Sequence, residues 1–311
     1  MKDDIKRRAG RSDSLNIHLD LFKLKYKLFP EREFCYFCQI KMEYTVQNDG
    51  FTILKNIFSD RQLSPVRKLV EESVEYCEKN LNDPFEKYFL PHRAETGVLY
   101  DLLQRNPLFL ELASNPIILD ELEKSLGKDI ALYENSLVFK PKEKNNAVPW
   151  HQDFINRSKE PIKFMAWIAL DDIRKENGAM KVIPGSHKKG FLPWHRVKGA
   201  AYHDLVNEEF VEEDKAVYVE LEAGDVLIFN QLLLHASDKV SSEKPRRAFR
   251  VSYQNMEKLN TPRGIPIVFR GCNPSSLYQK LGANPRKNNS PSQFKYLLQI
   301  LGKKLIEISK K

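Results

Sequence analysis

The residues that could do chemistry stand closest together in Pro149-Trp150-His151-Gln152-Asp153-Phe154, where an imidazole and a carboxylate are one residue apart. In an extended strand positions i and i+2 point to the same face, so both heads can meet one ion. Imidazole nitrogen and carboxylate oxygen together suit a divalent ion such as iron, zinc or manganese, but two ligands need a third. Downstream, Asn230-Gln231-Leu232-Leu233-Leu234-His235-Ala236-Ser237 supplies a candidate. A histidine closing an apolar run is more often a satisfied core residue than a ligand. This one follows a Gly-Asp turn, with strand-like runs between it and His151, the layout in which a barrel gathers distant strands around one ion. His151, Asp153 and His235 would then form a two-histidine, one-carboxylate facial triad. Such a triad leaves open positions for a chelating cosubstrate and for dioxygen, as in non-haem Fe(II) oxygenases. Zinc hydrolysis is the competing use of the same donors.

The segment Pro245-Arg246-Arg247-Ala248-Phe249-Arg250 separates these uses, because it leads into an apolar run ending at Tyr253. A buried guanidinium needs an anion, and its planar fork pairs with a carboxylate. If no acidic side chain satisfies it, the partner is a ligand such as 2-oxoglutarate, whose far carboxylate must be held while its keto-acid end chelates iron. Arg246 is the first candidate for that clamp, with Arg247 and Arg250 as alternatives; alternation places Arg246 and Arg250 on one face and Arg247 on the other. His187, after Pro184-Gly185-Ser186, is expected to shape the rim or touch substrate.

The elements that must position these groups change character at Gly127. Before it, Asp49 to Leu54 reads as a short strand, followed by a helix capped at Ser59 or Asp60 with Val66, Leu69, Val70, Val74 and Cys77 at helical spacing. Leu108 to Ala113 and Ile117 to Leu126 predict further helix, interrupted at Asn115-Pro116 and closed by Gly127. After it come short apolar runs at Ile130 to Tyr133, Leu137 to Phe139, Lys163 to Leu170, Ala179 to Ile183, Ala216 to Leu221, Val226 to Phe229 and Ala248 to Tyr253. Turn pairs such as Asn177-Gly178 and Pro184-Gly185 punctuate them, which predicts an all-β sandwich or barrel. The expected fold is mainly β with flanking helices around a jelly-roll, or double-stranded β-helix, core of the cupin-like kind.

A chain of 311 residues with 41% hydrophobic residues can bury a sizeable core. We divide it into an N-terminal extension packed on the domain (1–45), the oxygenase-like domain with a helical first part (46–272), and a basic C-terminal tail and helix (273–311). The formal charge of +8 is compatible with an anionic small substrate; its spread without a basic stripe argues against nucleic acid. No run approaches the roughly 18 apolar residues of a membrane span. Four cysteines, unevenly placed, predict a reducing compartment. Cys35-Tyr36-Phe37-Cys38 reads as buried or half-buried thiols. The expected location is cytoplasmic, with Arg11 to Leu19 a partial match to a peroxisomal address that departs from it at Ser12.

Taken in order, these motifs resemble the phytanoyl-CoA dioxygenase family of Fe(II)/2-oxoglutarate oxygenases. The resemblance is carried by Phe139-Lys140-Pro141, the His151 to Asp153 motif, Asn177-Gly178-Ala179-Met180 leading to Ile183-Pro184-Gly185-Ser186-His187, Gly224-Asp225-Val226, and His235-Ala236-Ser237 followed by Arg246-Arg247-Ala248. It implies that His151, Asp153 and His235 bind iron, that Arg246 holds the distal carboxylate of 2-oxoglutarate, and that Trp167, Ser237 and Ser136 are further cosubstrate contacts. The family's halogenating relatives have a small residue where this chain has Asp153, so hydroxylation is implied. Asp238-Lys239-Val240 departs from the family, whose members often carry Asn there.

The function expected is a non-haem Fe(II)- and 2-oxoglutarate-dependent dioxygenase hydroxylating a small, anionic or acyl-type metabolite with dioxygen, releasing succinate and carbon dioxide. The alternatives are a catalytically silent jelly-roll protein that binds metal or 2-oxoglutarate, and an oxygenase acting on a macromolecule.

Overall fold

The computed structural model describes residues 44–79, 92–93, 98–100, 102–140, 147–197, 204–242, 244, 246–255 and 267–271. The N-terminal extension up to residue 43, with its Cys-x-x-Cys and partial address, and the C-terminal helix lie outside the described residues.

Helical punctuation falls where the side chains dictate it. A single turn, α1 (Val46–Asp49), starts at Thr45, whose hydroxyl accepts from Asn48 N while Asp49 reaches back to Thr45 N. Helix α2 (Asp60–Lys79) buries Leu63, Val66 and Val70 at helical spacing. Short α3 (Leu102–Arg105) leads into α4 (Pro107–Ala113) and α5 (Pro116–Leu126). Asn106 and Asn115 cap the last two, each with proline in the first turn, where its missing N–H costs nothing.

The strands run in order β1 (Phe51–Leu54), β2 (His92–Arg93), β3 (Val98–Tyr100), β4 (Ile130–Phe139), β5 (Val148–His151), β6 (Phe164–Ala169), β7 (Met180–Val182), β8 (Trp194–Arg196), β9 (Asp204–Val206), β10 (Val217–Val219), β11 (Val226–Asn230), β12 (His235–Ser237), β13 (Arg247–Asn255) and β14 (Val268–Arg270). The described residues form a major antiparallel sheet, β1-β11-β6-β13-β4-β3-β2 with β14 beside β4, and a minor one, β10-β7-β12-β5. Alternation decides what each face of the major sheet covers. Phe164, Ala166 and Ile168 of β6 pack with α2, α4 and α5, while Met165, Trp167 and Ala169 face the minor sheet's Met180, Val182 and Val219. The two facing sheets make the expected jelly roll, with helices covering its outer side.

One strand differs from the sequence expectation. The runs Ile130 to Tyr133 and Leu137 to Phe139 are parts of a single strand, β4. A bulge between the pairs Ser252–Glu134 and Tyr253–Leu132 leaves Tyr133 as the extra residue. It shifts the alternation, so Leu132 packs toward the helices while Glu134 lines the interior cavity.

The turn before β11 is held by a buried charge. Asp225 accepts from Asn56 N, Glu222 N and Lys55 Nζ at 2.9, 2.9 and 2.8 Å. Gly224, at φ +98°, lies against the Phe58 carbonyl with no room for a Cβ. Replacing Asp225 with Ala orphans two backbone donors and should cost about 3 kcal/mol in denaturant unfolding; a loss under about 1 kcal/mol would contradict this account of the turn.

Candidate functional site

Three ligand-type side chains meet between the sheets. His151 ends β5 and His235 begins β12, and the two are register partners with ring centroids 4.0 Å apart. Each imidazole donates Nδ1–H to the carbonyl two residues before it: His151 to Pro149 at 2.8 Å, His235 to Leu233 at 2.9 Å. A carbonyl can only accept, so both rings are held in the tautomer that leaves Nε2 free as a base. Ligand atoms of His151, Asp153 and His235 all lie within 4.8 Å of one another. This donor set, two fixed neutral imidazoles and one carboxylate, suits a divalent transition metal.

The sequence expectation that both members of His-x-Asp sit on one extended strand is corrected. The strand stops at His151, and Asp153 is presented from a turn. Gln152 fixes that turn: its Nε2 donates to the carbonyls of Leu232 and Gly190 at 2.7 and 2.9 Å, and its Oε1 accepts from Leu192 N at 3.0 Å. Phe154 follows in the left-handed region at φ 53°, uncommon for a non-glycine residue and a feature that clusters at functional sites. Its ring packs edge-on to Tyr133 at 5.0 Å, the residue that the β4 bulge re-aims.

The electrostatics favour a metal-ready state. Burial, then the neighbouring His151, pushes His235 down to about 3. Burial also lowers His151 against the pull of Asp153. For Asp153, burial alone would raise the carboxyl, yet Arg250 and the two histidines outweigh it and hold it below its usual value. Arg250 Nη1 lies 3.3 Å from Asp153 Oδ1. Its Nη2 donates to buried Glu134 at 2.6 Å and its Nε to Ser136 Oγ at 3.3 Å.

The ligands open on a cavity of about 340 Å³ lined also by Trp167, Phe229, Ser237, Lys140, Arg246 and Arg250. Arg246 is buried, with its guanidinium carbon 4.2 Å from the Trp167 ring centroid. Arg247 points the other way, to Asp171 at 2.8 Å and Glu71 at 2.7 Å, and Arg250 is engaged by Glu134 and Asp153. Arg246 and Arg250 both line the cavity, and Arg247 does not. The structure thus gathers His151, Asp153, His235, Trp167, Ser237 and Arg246 on one cavity. Ser136 is buried under Arg250, one layer behind that wall. His187 is corrected from a rim or substrate contact: it packs against Gly50 and bonds the Gln47 carbonyl at 3.2 Å, outside the cavity lining.

Sequence reading missed Gln152 as the anchor of the turn and the Glu134–Arg250 pair. The signal available for the pair was one charged residue inside each of two strand-like stretches, Glu134 and Arg250, since buried charges need partners.

Residues 46–248 match the family profile described as Phytanoyl-CoA dioxygenase (PhyH). A relative named "Phytanoyl-CoA dioxygenase, peroxisomal" from Rattus norvegicus is 25% identical over 250 residues, 70% of this chain and 72% of the relative. A "Probable alpha-ketoglutarate-dependent hypophosphite dioxygenase" from Stutzerimonas stutzeri is 23% identical over 290 residues, 87% of this chain and 96% of the relative. Among solved structures, the apo form of the non-heme monooxygenase ThoJ superposes with a TM-score of 0.59 at 18% identity, covering 83% of this chain and 98% of that one. This last likeness is one of fold.

The two depressed histidines set a pH dependence for the metal-free protein. Below the ordinary histidine value of 6.5 the unfolded chain takes up protons that the fold refuses. Stability should therefore fall on acidification from pH 6.5, by on the order of 1 kcal/mol per pH unit. Adding a divalent ion at pH 7 should raise the melting temperature in the wild type and not in His235→Ala. Equal metal stabilisation of both proteins would remove His235 from the ligand set.

Proposed function

The chain belongs to the phytanoyl-CoA dioxygenase family, and from that premise we propose that it is an Fe(II)- and 2-oxoglutarate-dependent dioxygenase that hydroxylates a small anionic or acyl-type molecule. The observation that carries this reading is one cavity holding two tautomer-fixed histidines and a carboxylate beside a buried arginine stacked on tryptophan. When bound, iron(II) and 2-oxoglutarate together supply oxidative decarboxylation of the keto acid by dioxygen, yielding succinate, carbon dioxide and an oxidant able to take hydrogen from a substrate carbon.

The protein's residues supply placement. His151, Asp153 and His235 would hold the metal through Nε2, a carboxylate oxygen and Nε2. Arg250, anchored on Glu134, steadies the Asp153 carboxylate. Arg246, with its guanidinium carbon over the Trp167 ring, would clamp the distal carboxylate, and Ser237 lines the same cavity. A zinc hydrolase has no need of a buried clamp for a second anion, so the Arg246 wall favours the oxygenase.

An anionic or acyl-type substrate is supported by relatives named for phytanoyl-CoA and for hypophosphite. The cavity lining also includes Arg157, Asn156 and Tyr100 as polar groups for such a molecule.

Succinate release from 2-oxoglutarate, with Fe(II) and dioxygen supplied and no primary substrate, tests the proposal. The wild type should turn over slowly, and His151→Ala and Asp153→Ala should lose at least about 100-fold. Arg246→Leu should raise the 2-oxoglutarate KM by about tenfold or more. Undiminished turnover in the two ligand variants would remove the triad from the chemistry.

A further inference from the structure

We infer that Arg157 is a specificity-determining residue for the primary substrate, and that its guanidinium receives a carboxylate of that substrate in the cavity that holds the metal ligands. The inference rests on the oxygenase reading above and deepens it by naming the substrate class, an ionised organic acid.

The geometry starts at the turn that presents Asp153. The chain leaves it through Phe154 in the left-handed region and one tight helical turn, Ile155–Arg157, so that His151, Asp153 and Arg157 all line one cavity. Arg157 is held by a single nitrogen. Its Nη1 donates to the Tyr133 hydroxyl at 2.7 Å and to Glu160 Oε1 at 3.1 Å. The hydroxyl in turn donates to Glu160 Oε2 at 3.1 Å. Neither of the arginine's bonds uses Nη2 or Nε, and a guanidinium edge of two parallel donors fits a carboxylate bidentately. Tyr133, the extra residue of the β4 bulge, packs edge-on to Phe154 and lies under Lys163 Nζ at 4.4 Å from its ring centroid. The guanidinium is thus anchored on one side by residues that also brace the Asp153 turn. An arginine ordered in this way loses less freedom when a ligand binds.

Charge points the same way. Glu160 is shared, because it also takes the Lys163 ammonium at 2.9 Å, and that lysine side chain is wholly buried. A buried ammonium needs a counter-charge. Two cations therefore divide one carboxylate, and the surplus positive charge sits on Arg157, whose side chain is 36% accessible against 17% for Glu160. The three carboxylates that line the cavity among the described residues are engaged by other arginines. Glu134 and Asp153 pair with Arg250. Asp204 takes Arg196 in a two-bond pair at 2.6 and 2.9 Å. A substrate carboxylate on the Arg157 edge would balance the cluster from the cavity side.

The test is calorimetric titration, under argon, of the full-length protein loaded with Fe(II) and saturating 2-oxoglutarate. The probes are straight-chain acids from butanoate to octanoate and the matching primary amides, which have the same shape without the charge. The wild type should bind the acids at least about tenfold more tightly than their amides, and added salt should shrink that preference. Arg157→Gln should weaken acid binding by about tenfold or more while amide binding stays within about threefold. Arg157→Lys, which keeps the charge and loses the fork, should retain part of the preference. In both variants the effect should fall on the acids and not on 2-oxoglutarate affinity. Circular dichroism checks that each variant is folded; should the Gln variant fail to fold, the wild-type preference and its partial loss in the Lys variant decide. A wild type that does not prefer acid over amide, or acids that bind Arg157→Gln as tightly as wild type, overturn this inference and leave the oxygenase reading standing. A wild-type protein that binds iron but no 2-oxoglutarate overturns that reading, and the inference with it.

Discussion

The site depends on one strand pairing. β5 meets β12 so that His151 and His235 face each other as register partners, and each ring is locked by donating to the carbonyl two residues behind it. Burial then keeps both rings neutral, and the nitrogens that remain as bases converge with Asp153. Slip one of these strands by one residue and its imidazole would leave the cavity face while the other stayed, because side chains alternate across a strand. The large sheet, the helical cover and the turn at Asp225 act to hold this register between two packed layers.

Around the ligands, charge is sorted by distance from the metal position. Near it, Glu134, Arg250 and Asp153 form a carboxylate, guanidinium and carboxylate chain, so the buried Asp153 carboxylate has a counter-charge beside it. Arg246, with its guanidinium carbon over the Trp167 ring, and Lys140 line the same cavity. The Arg250 arrangement is internally compensated by these two ion pairs. Arg246, just before β13, and Arg250 within it are four residues apart and both line the cavity, with Arg247 between them turned to Asp171.

Much of this was legible in the sequence because the signals were local. The helix break at Asn115-Pro116, the run of β6 and the Gly224-Asp225 turn each show in a few neighbouring residues. The triad was legible from residue types and from the β pattern between them. The continuous β4 was not, because Glu134-Asn135-Ser136 interrupts its apolar run. Those polar residues are buried partners: Glu134 and Ser136 hold Arg250, and Asn135 accepts from Leu103 N at 3.0 Å. A bulge at Tyr133 then changes which face they occupy. The turn at Asp153 was missed for a similar reason, since Gln152 reaches residues 38, 40 and 80 positions away, which no window along the chain displays.

The measurement that bears most directly on the central claim is anaerobic addition of 2-oxoglutarate to the Fe(II)-loaded protein, followed by visible absorption. Chelation of a facial-triad iron by the keto-acid end should produce a weak charge-transfer band that saturates at one equivalent and is lost in Asp153→Ala. Iron bound by His151, Asp153 and His235 with no such band at saturating 2-oxoglutarate would contradict the account.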